Sequence, residues 1–205
     1  LRSRDAAGPN AGAGGKWITS KDRANAEWRI AEAIVRLSAA PARWPELPTA
    51  PGSGPSEHQR AGLSAATRTA VGNLVGSPGT GKTYTVAFLI KAILAAGPCA
   101  AVQLVAPTGK AAVRLTQSMQ AQGLDIAATT IHRALGVAFG ADAAESGSRF
   151  AFNAKNPLPL AGGFLIVDET SMVDAALMAD LLDAVPTTCC VLFVGDTNQL
   201  APVGH

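Results

Sequence analysis
The stretch that most constrains this chain is Val71 to Thr83, VGNLVGSPGTGKT, because the pattern G-x-x-x-x-G-K-[ST] demands a strand before it and a helix after it. Gly76, Gly79 and Gly81 carry no Cβ, so successive backbone N–H groups can close on the oxygens of a polyphosphate. The following helix directs the positive end of its dipole at the same charge. Lys82 is placed to reach the β- and γ-phosphates, and the Thr83 hydroxyl to hold a Mg²⁺ ion bound to them. A glycine-rich turn before an ordinary helix is the bland alternative. It is outweighed by Val86, Leu89, Ile90, Ile93 and Leu94, which repeat at helical spacing until Gly97 and Pro98 stop them. The stretch predicts a nucleoside triphosphate site.

A chain of 205 residues, 48% of them hydrophobic, suits one α/β domain with an appendage. The net charge of +2 is compatible with a nucleic-acid partner without indicating one. Cys99, Cys189 and Cys190 show no C-x-x-C spacing, so neither a zinc site nor a disulfide framework follows, and all read as reduced core thiols. No apolar run reaches the roughly 18 residues of a membrane span, and Ala6 to Gly15 is too small and polar for a signal-peptide core. The expectation is a soluble, cytoplasmic protein without membrane contact. Leu1 to Gly15, which lacks an initial methionine, reads as a disordered tail on a piece of a longer chain.

From Asp22 to about Ala40, the positions Ala26, Ile30, Ile34 and Leu37 fit one packing face of a helix. Pro41 to Pro55 is proline-rich and reads as a linker. Residues 1–40 are thus expected as a tail and helix, 41–55 as linker, and 56–205 as the nucleotide-binding domain. Ser56 to Thr69 reads as a helix in which Gln59 has two readings of equal weight. It completes a Ser-x-x-Gln capping box, or its amide reads N6 and N7 of adenine.

Ala101 to Ala106 reads as a buried strand followed by the turn Pro107, Thr108, Gly109 and Lys110 and a helix from Ala111. Repeated strand–turn–helix units imply a parallel sheet with ligands at the carboxyl ends of its strands. On the residues alone, an ordinary turn with a solvated lysine is the favoured reading there. Thr129 to Gly136 opens a short helix, and His132 lacks metal partners at useful spacing. Val137 to Gly163 reads as an irregular insertion or hairpin, where Phe150 and Phe152 pack under a loop more readily than they stack on a base. Phe164 to Val167 then forms a buried strand that delivers Asp168 and Glu169 at its carboxyl end. Asp168 can share the Mg²⁺ with Thr83, and Glu169 can deprotonate the attacking water. A last strand, Cys189 to Val194, brings Gln199 to the same edge, within reach of a γ-phosphate.

Taken in order, SEHQRAGL, GSPGTGKT, LVAPTGKAAVRL, TIHRALG, FLIVDETSMVD and VGDTNQLAPVG resemble the first RecA-like motor domain of superfamily 1 DNA helicases of the RecD/TraI-like group, over about Gly54 to His205. The resemblance implies an α/β P-loop NTPase fold, a mainly parallel sheet flanked by helices with a short N-terminal helical extension. It implies ATP and Mg²⁺ as cofactors and single-stranded DNA as partner, with 5′-to-3′ translocation in the complete, exodeoxyribonuclease V alpha-like protein and a place in DNA repair alongside protein partners. Gln59 matches an adenine contact, and the nucleotide set is Gln59, Gly76, Ser77, Pro78, Gly79, Thr80, Gly81, Lys82, Thr83 and Tyr84. The resemblance implies Thr83 and Asp168 as metal ligands and Lys82, Glu169 and Gln199 as catalytic residues. Gln199 matches the residue that couples ATP state to DNA binding. Pro107, Thr108, Gly109, Lys110, Thr130 and His132 match segments lining the single-strand path. The second motor domain, with its arginine finger, is missing from the sequence, so the fragment is expected to bind ATP and hydrolyse it poorly. Two alternatives compete: a nucleotide switch or assembly ATPase acting on a protein, and, more weakly, a phosphotransferase.

Overall fold
The computed structural model describes residues 2–4, 17–48, 54–136 and 149–196. Two short strands, β1 (Arg2–Arg4) and β2 (Trp17–Thr19), pair antiparallel. The expected disordered tail is therefore corrected at Arg2–Arg4, whose backbone finds ladder partners in Trp17–Thr19. The main chain of elements is α1 (Lys21–Ser38), α2 (Glu57–Ala66), β3 (Val71–Val75), α3 (Lys82–Ala96), β4 (Val102–Ala106), α4 (Gly109–Ala121), β5 (Ala128–Thr130), α5 (Ile131–Leu135), β6 (Phe164–Val167), α6 (Ala175–Ala184) and β7 (Cys190–Gly195).

Strands β3 to β7 form one five-stranded, wholly parallel sheet in the order β3-β7-β6-β4-β5. This is the expected α/β fold. Parallel strands need helical crossovers, which cover both faces of the sheet and bury it twice over. Period-2 alternation then divides the strand residues: Leu165, Val167 and Val191 face a core shared with α1, α5 and α6, whereas Phe164, Ile166 and Leu192 face α2, α3 and α4. Because all five strands run the same way, every loop that follows a strand emerges at one edge.

Helix α1 belongs to the packed body. Ala33 and Leu37 are buried in the first core, and Arg29 forks across Asp180 and Asp183 of α6 at 2.7 and 2.6 Å. Arg36 donates to the carbonyls of Leu182 and Val185, satisfying the last turn of α6. Residues 41–48, read from sequence as the start of a linker, instead cross the amino edge of the sheet. The Trp44 indole N–H donates to Thr69 O at 2.8 Å and its ring lies 5.2 Å from that of Phe164, while the Arg43 N–H donates to Cys190 Sγ. Proline rules out helix and ladder there, yet an extended strap with aromatic anchors packs well.

Cys189 and Cys190 are buried as expected, and burial pushes the Cys189 thiol up to about 12. Cys99 is the correction. It is exposed at the tip of the Gly97–Ala100 turn between α3 and β4, while its neighbour Ala100 packs against the second core. A disulfide-exchange reagent should therefore label Cys99 alone in the native chain, and all three thiols in denaturant. A chemical-denaturation series provides a second check. Leu37→Ala should lose about 2–5 kcal/mol of stability, as a fully buried leucine does, and an unmoved midpoint would show α1 to be an appendage.

Candidate functional site
The helix starts differ in what satisfies their leading N–H groups. Ser20, Ser56, Thr108, Thr130 and Asp174 place a side-chain oxygen on the first turns of α1, α2, α4, α5 and α6. Helix α3 starts at Gly81, which has no side chain to offer. Its leading N–H groups are therefore available to an anion, and the helix dipole adds to the attraction.

Gly81 is held in the left-handed region, at φ 80°, and an added Cβ there would meet the Gln59 amide nitrogen at 2.5 Å. The left-handed backbone favours glycine, and a Cβ would also force the Gln59 amide to move. Gln59 itself closes the loop: its Oε1 accepts from Ser56 N–H at 2.8 Å, and its Nε2 donates to Thr80 O at 2.7 Å. The capping box read from sequence is complete. One amide proton and one lone pair of Gln59 are not used in these bonds, so the adenine reading keeps the valences it needs. Thr80 Oγ1 donates to Ser77 O at 2.8 Å, and Lys82 Nζ donates to the carbonyls of Gly76 and Ser77. Ser77, Pro78, Gly79, Thr80 and Tyr84 are exposed, and Lys82 and Thr83 half-buried.

β6 brings the acids to the same edge. The Asp168 N–H donates to Val105 O, extending the ladder by one residue, and its Oδ1 accepts from the Glu169 N–H at 2.9 Å. Burial raises the Asp168 carboxyl above the usual range; the Glu169 N–H opposes that rise, the Glu169 charge adds to it, and the Lys82 charge opposes it. Lys82, the first residue of α3, and Asp168, just past β6, thus lie near enough for their charges to interact. Glu169 adopts φ 52° and ψ 41°, a left-handed conformation that costs a non-glycine residue about 1–2 kcal/mol. A 3-10 turn, Thr170–Met172, follows.

This donor set fits a nucleoside triphosphate with a hard divalent cation. Uncapped N–H groups and Lys82 suit phosphate oxygens, while the Thr83 hydroxyl and a carboxylate that burial leaves short of compensating charge suit Mg²⁺. Among the described residues there is no cluster of three or more His, Cys, Asp or Glu that would hold a metal without such a ligand.

The residues predicted for a single-strand path also reach this edge. Thr108, Gly109 and Lys110 are exposed and Pro107 half-buried at the end of β4. Thr108 and Thr130 spend their hydroxyls on the caps of α4 and α5, accepting from Ala111 and Arg133 N–H at 3.2 and 3.1 Å. His132 is exposed and sits edge-on to Phe150, 5.9 Å between ring centres. Phe150 is buried, so the packing reading of that aromatic holds. A cavity of about 280 Å³ opens between α4 and β5–α5, lined by Gly109, Thr130 and Arg133 among others. Gln199 lies outside the described residues. Sequence reasoning gave no role to Thr170, Gly195 or Asp196. Asp196, 5% exposed, directly follows β7, and its signal in the sequence is an acid just after a buried strand.

Residues 59–205 match the AAA domain family. Among curated relatives, the RecBCD enzyme subunit RecD of Mycolicibacterium smegmatis is 41% identical over 163 residues, covering 72% of this chain and 28% of the relative. The RecD subunit of Mycobacterium tuberculosis is 39% identical over 198 residues, with coverages of 86% and 33%. The ATP-dependent RecD2 DNA helicase of Deinococcus radiodurans is 45% identical over 130 residues, with coverages of 63% and 16%. The chain thus spans a third or less of the length of these relatives. Among the described residues, no helix is long and apolar enough to cross a membrane.

Asp168→Asn tests the electrostatics. A raised carboxyl means that the unfolded chain gives up this proton first, so stability falls as pH climbs above about 4, the ordinary carboxyl value. In metal-free buffer the variant should melt higher than the parent at neutral pH, with the gap closing as pH approaches 4. A lower melting point at pH 7 would contradict the burial argument.

Proposed function
Since this chain belongs to the AAA domain family and is homologous to the RecD helicases, we propose that it is the first motor domain of a DNA helicase, hydrolysing ATP to drive travel along single-stranded DNA. The observation that carries this reading is the convergence of the uncapped α3 start, Lys82 and the Asp168–Glu169 pair on one sheet edge. The exposed Thr108–Lys110 turn shares that edge.

In this reading the backbone N–H groups of Gly79, Gly81, Lys82 and Thr83 cradle the phosphates, and Lys82 leaves the Gly76 and Ser77 carbonyls to bind β- and γ-oxygens. Thr83 and Asp168 would hold Mg²⁺, which when bound neutralises charge on the β- and γ-phosphates. Glu169 takes a proton from the attacking water as its oxygen bonds to the γ-phosphorus and the bridging bond to ADP breaks. Gln59 and Tyr84 flank the nucleoside. Pro107, Thr108, Gly109, Lys110, Thr130 and His132 contact the strand through phosphates and stacking, independently of sequence. Gln199, just past β7, reports the γ-phosphate to that strand. In the complete protein a second motor domain contributes the arginine finger, worth about 10³ to 10⁵ in rate, and closure and reopening between the two domains moves the strand 5′ to 3′.

Steady-state ATP hydrolysis by the full-length parent, with and without oligo-dT at two salt concentrations, tests the motor. Single strands should stimulate turnover, and added salt should weaken the stimulation. Turnover indifferent to DNA would leave a nucleotide switch acting on a protein partner. In calorimetry, Lys82→Ala should bind Mg-ATP about 10- to 100-fold more weakly, the loss expected for charge-assisted bonds to phosphate. Unchanged affinity would remove Lys82 from the site.

A further inference from the structure
Among the described residues, Glu169 is the one non-glycine with positive φ. Such a conformation persists where its surroundings over-determine it. Its N–H is held by the Asp168 carboxylate at 2.9 Å and its carbonyl by the Met172 N–H at 3.0 Å. The next residue supplies a tether to another strand: Thr170 Oγ1 donates to Val194 O at 3.1 Å. Gly195 then leaves room for that hydroxyl, since a Cβ at this position would sit 2.5 Å from Thr170 Oγ1. On its other side the Gly195 carbonyl accepts from Gly76 N–H at 3.3 Å, at the start of the phosphate loop. β7 lies between β3 and β6, so its last residues touch the phosphate loop and the Glu169 turn together.

Resting on the reading of Glu169 as the base that activates water, we propose that Thr170 is a positioning residue, whose hydroxyl, tied to Val194 O and fitted against Gly195, sets the angle from which Glu169 takes the proton. The contact has a second consequence. Because Gly195 also carries the hydrogen bond from Gly76, displacement of the phosphate loop is passed to the Glu169 turn through one residue, and the base is aligned when the loop is in place. Thr170 touches neither water nor phosphate in this scheme. It acts through Glu169, and its hydroxyl matters rather than its size.

The test uses the full-length parent protein, saturated with oligo-dT, and compares Thr170→Val, Thr170→Ser, Gly195→Ala and Glu169→Gln. Thr170→Val keeps the shape and removes the hydroxyl, so it does not depend on whether the bulkier Gly195→Ala folds. It should lower kcat about tenfold to a hundredfold, the scale on which misplacing a catalytic group costs rate, while the Kd of a fluorescent ATP analogue stays at the parent value. Thr170→Ser, which keeps the donor, should restore kcat. A Thr170→Val enzyme with parental kcat, or one whose nucleotide affinity falls in step with kcat, overturns the proposal, as does failure of serine to rescue. Glu169→Gln separates the two levels. If it too turns over normally, the base assignment fails and takes this proposal with it; if it is inactive while Thr170→Val is normal, positioning alone is refuted.

Discussion
The hydrogen-bond register of the parallel sheet is the constraint from which the site follows. Val75 is level with Gly195, and Val167 with Val105 and Phe193, so β3 and β7 run two residues beyond β6 and the residues that follow all three emerge on one edge. Slip any strand by one residue and its side chains exchange faces, taking the core apart. The two apolar faces therefore fix the register, and the register fixes how Lys82 stands to Asp168. Burial of Leu165, Ile166 and Val167 is what gives the acids a defined position.

The same edge collects polar groups that the fold leaves incompletely satisfied. Helix α3 starts without a side-chain cap, Asp168 is buried enough for its carboxyl to be raised, and Glu169 holds a left-handed backbone. Elsewhere among the described residues the α-helix starts carry side-chain caps, and no other non-glycine residue has a positive φ. A bound polyphosphate and cation would satisfy the α3 start and Asp168, whereas the Glu169 backbone is held by its own hydrogen bonds. The opposite edge shows the contrary design: residues 41–48 close it with the Trp44 indole and backbone contacts, and the chemistry is left to one side.

Helix α1 and the strap precede residue 59, where the family match begins, yet they contribute to the packing of the body. Arg29 and Arg36 hold α6, and α6 follows the Glu169 turn in the chain. The charges there are partly exposed, so their worth lies as much in fixing the angle of α1 as in stability. Leu37 and Ala33, buried in the same core as Leu177, Leu181 and Leu182 of α6, supply the apolar part of that contact.

Sequence alone determined the elements whose cause is local. A G-x-x-x-x-G-K-T pattern can only be a loop between strand and helix, four consecutive apolar residues before Asp-Glu make a buried strand, and Ser-x-x-Gln builds its cap from neighbours in the chain. Tertiary structure decided what depends on distant partners. β5 is three residues long and has no apolar run to announce it, and it exists because β4 offers it a ladder. Residues 41–48 look like linker by composition, and become a strap only where Thr69, Phe164 and Cys190 meet. Cys99 and Cys189 are alike in sequence, and only the layers of the fold leave one exposed and the other buried. The same holds for Thr170 and Gly195. They are 25 positions apart in the chain, and nothing in either segment names the other. The parallel order of β6 and β7 sets them against each other, since a contact between strand ends is a property of the sheet and not of any stretch of sequence.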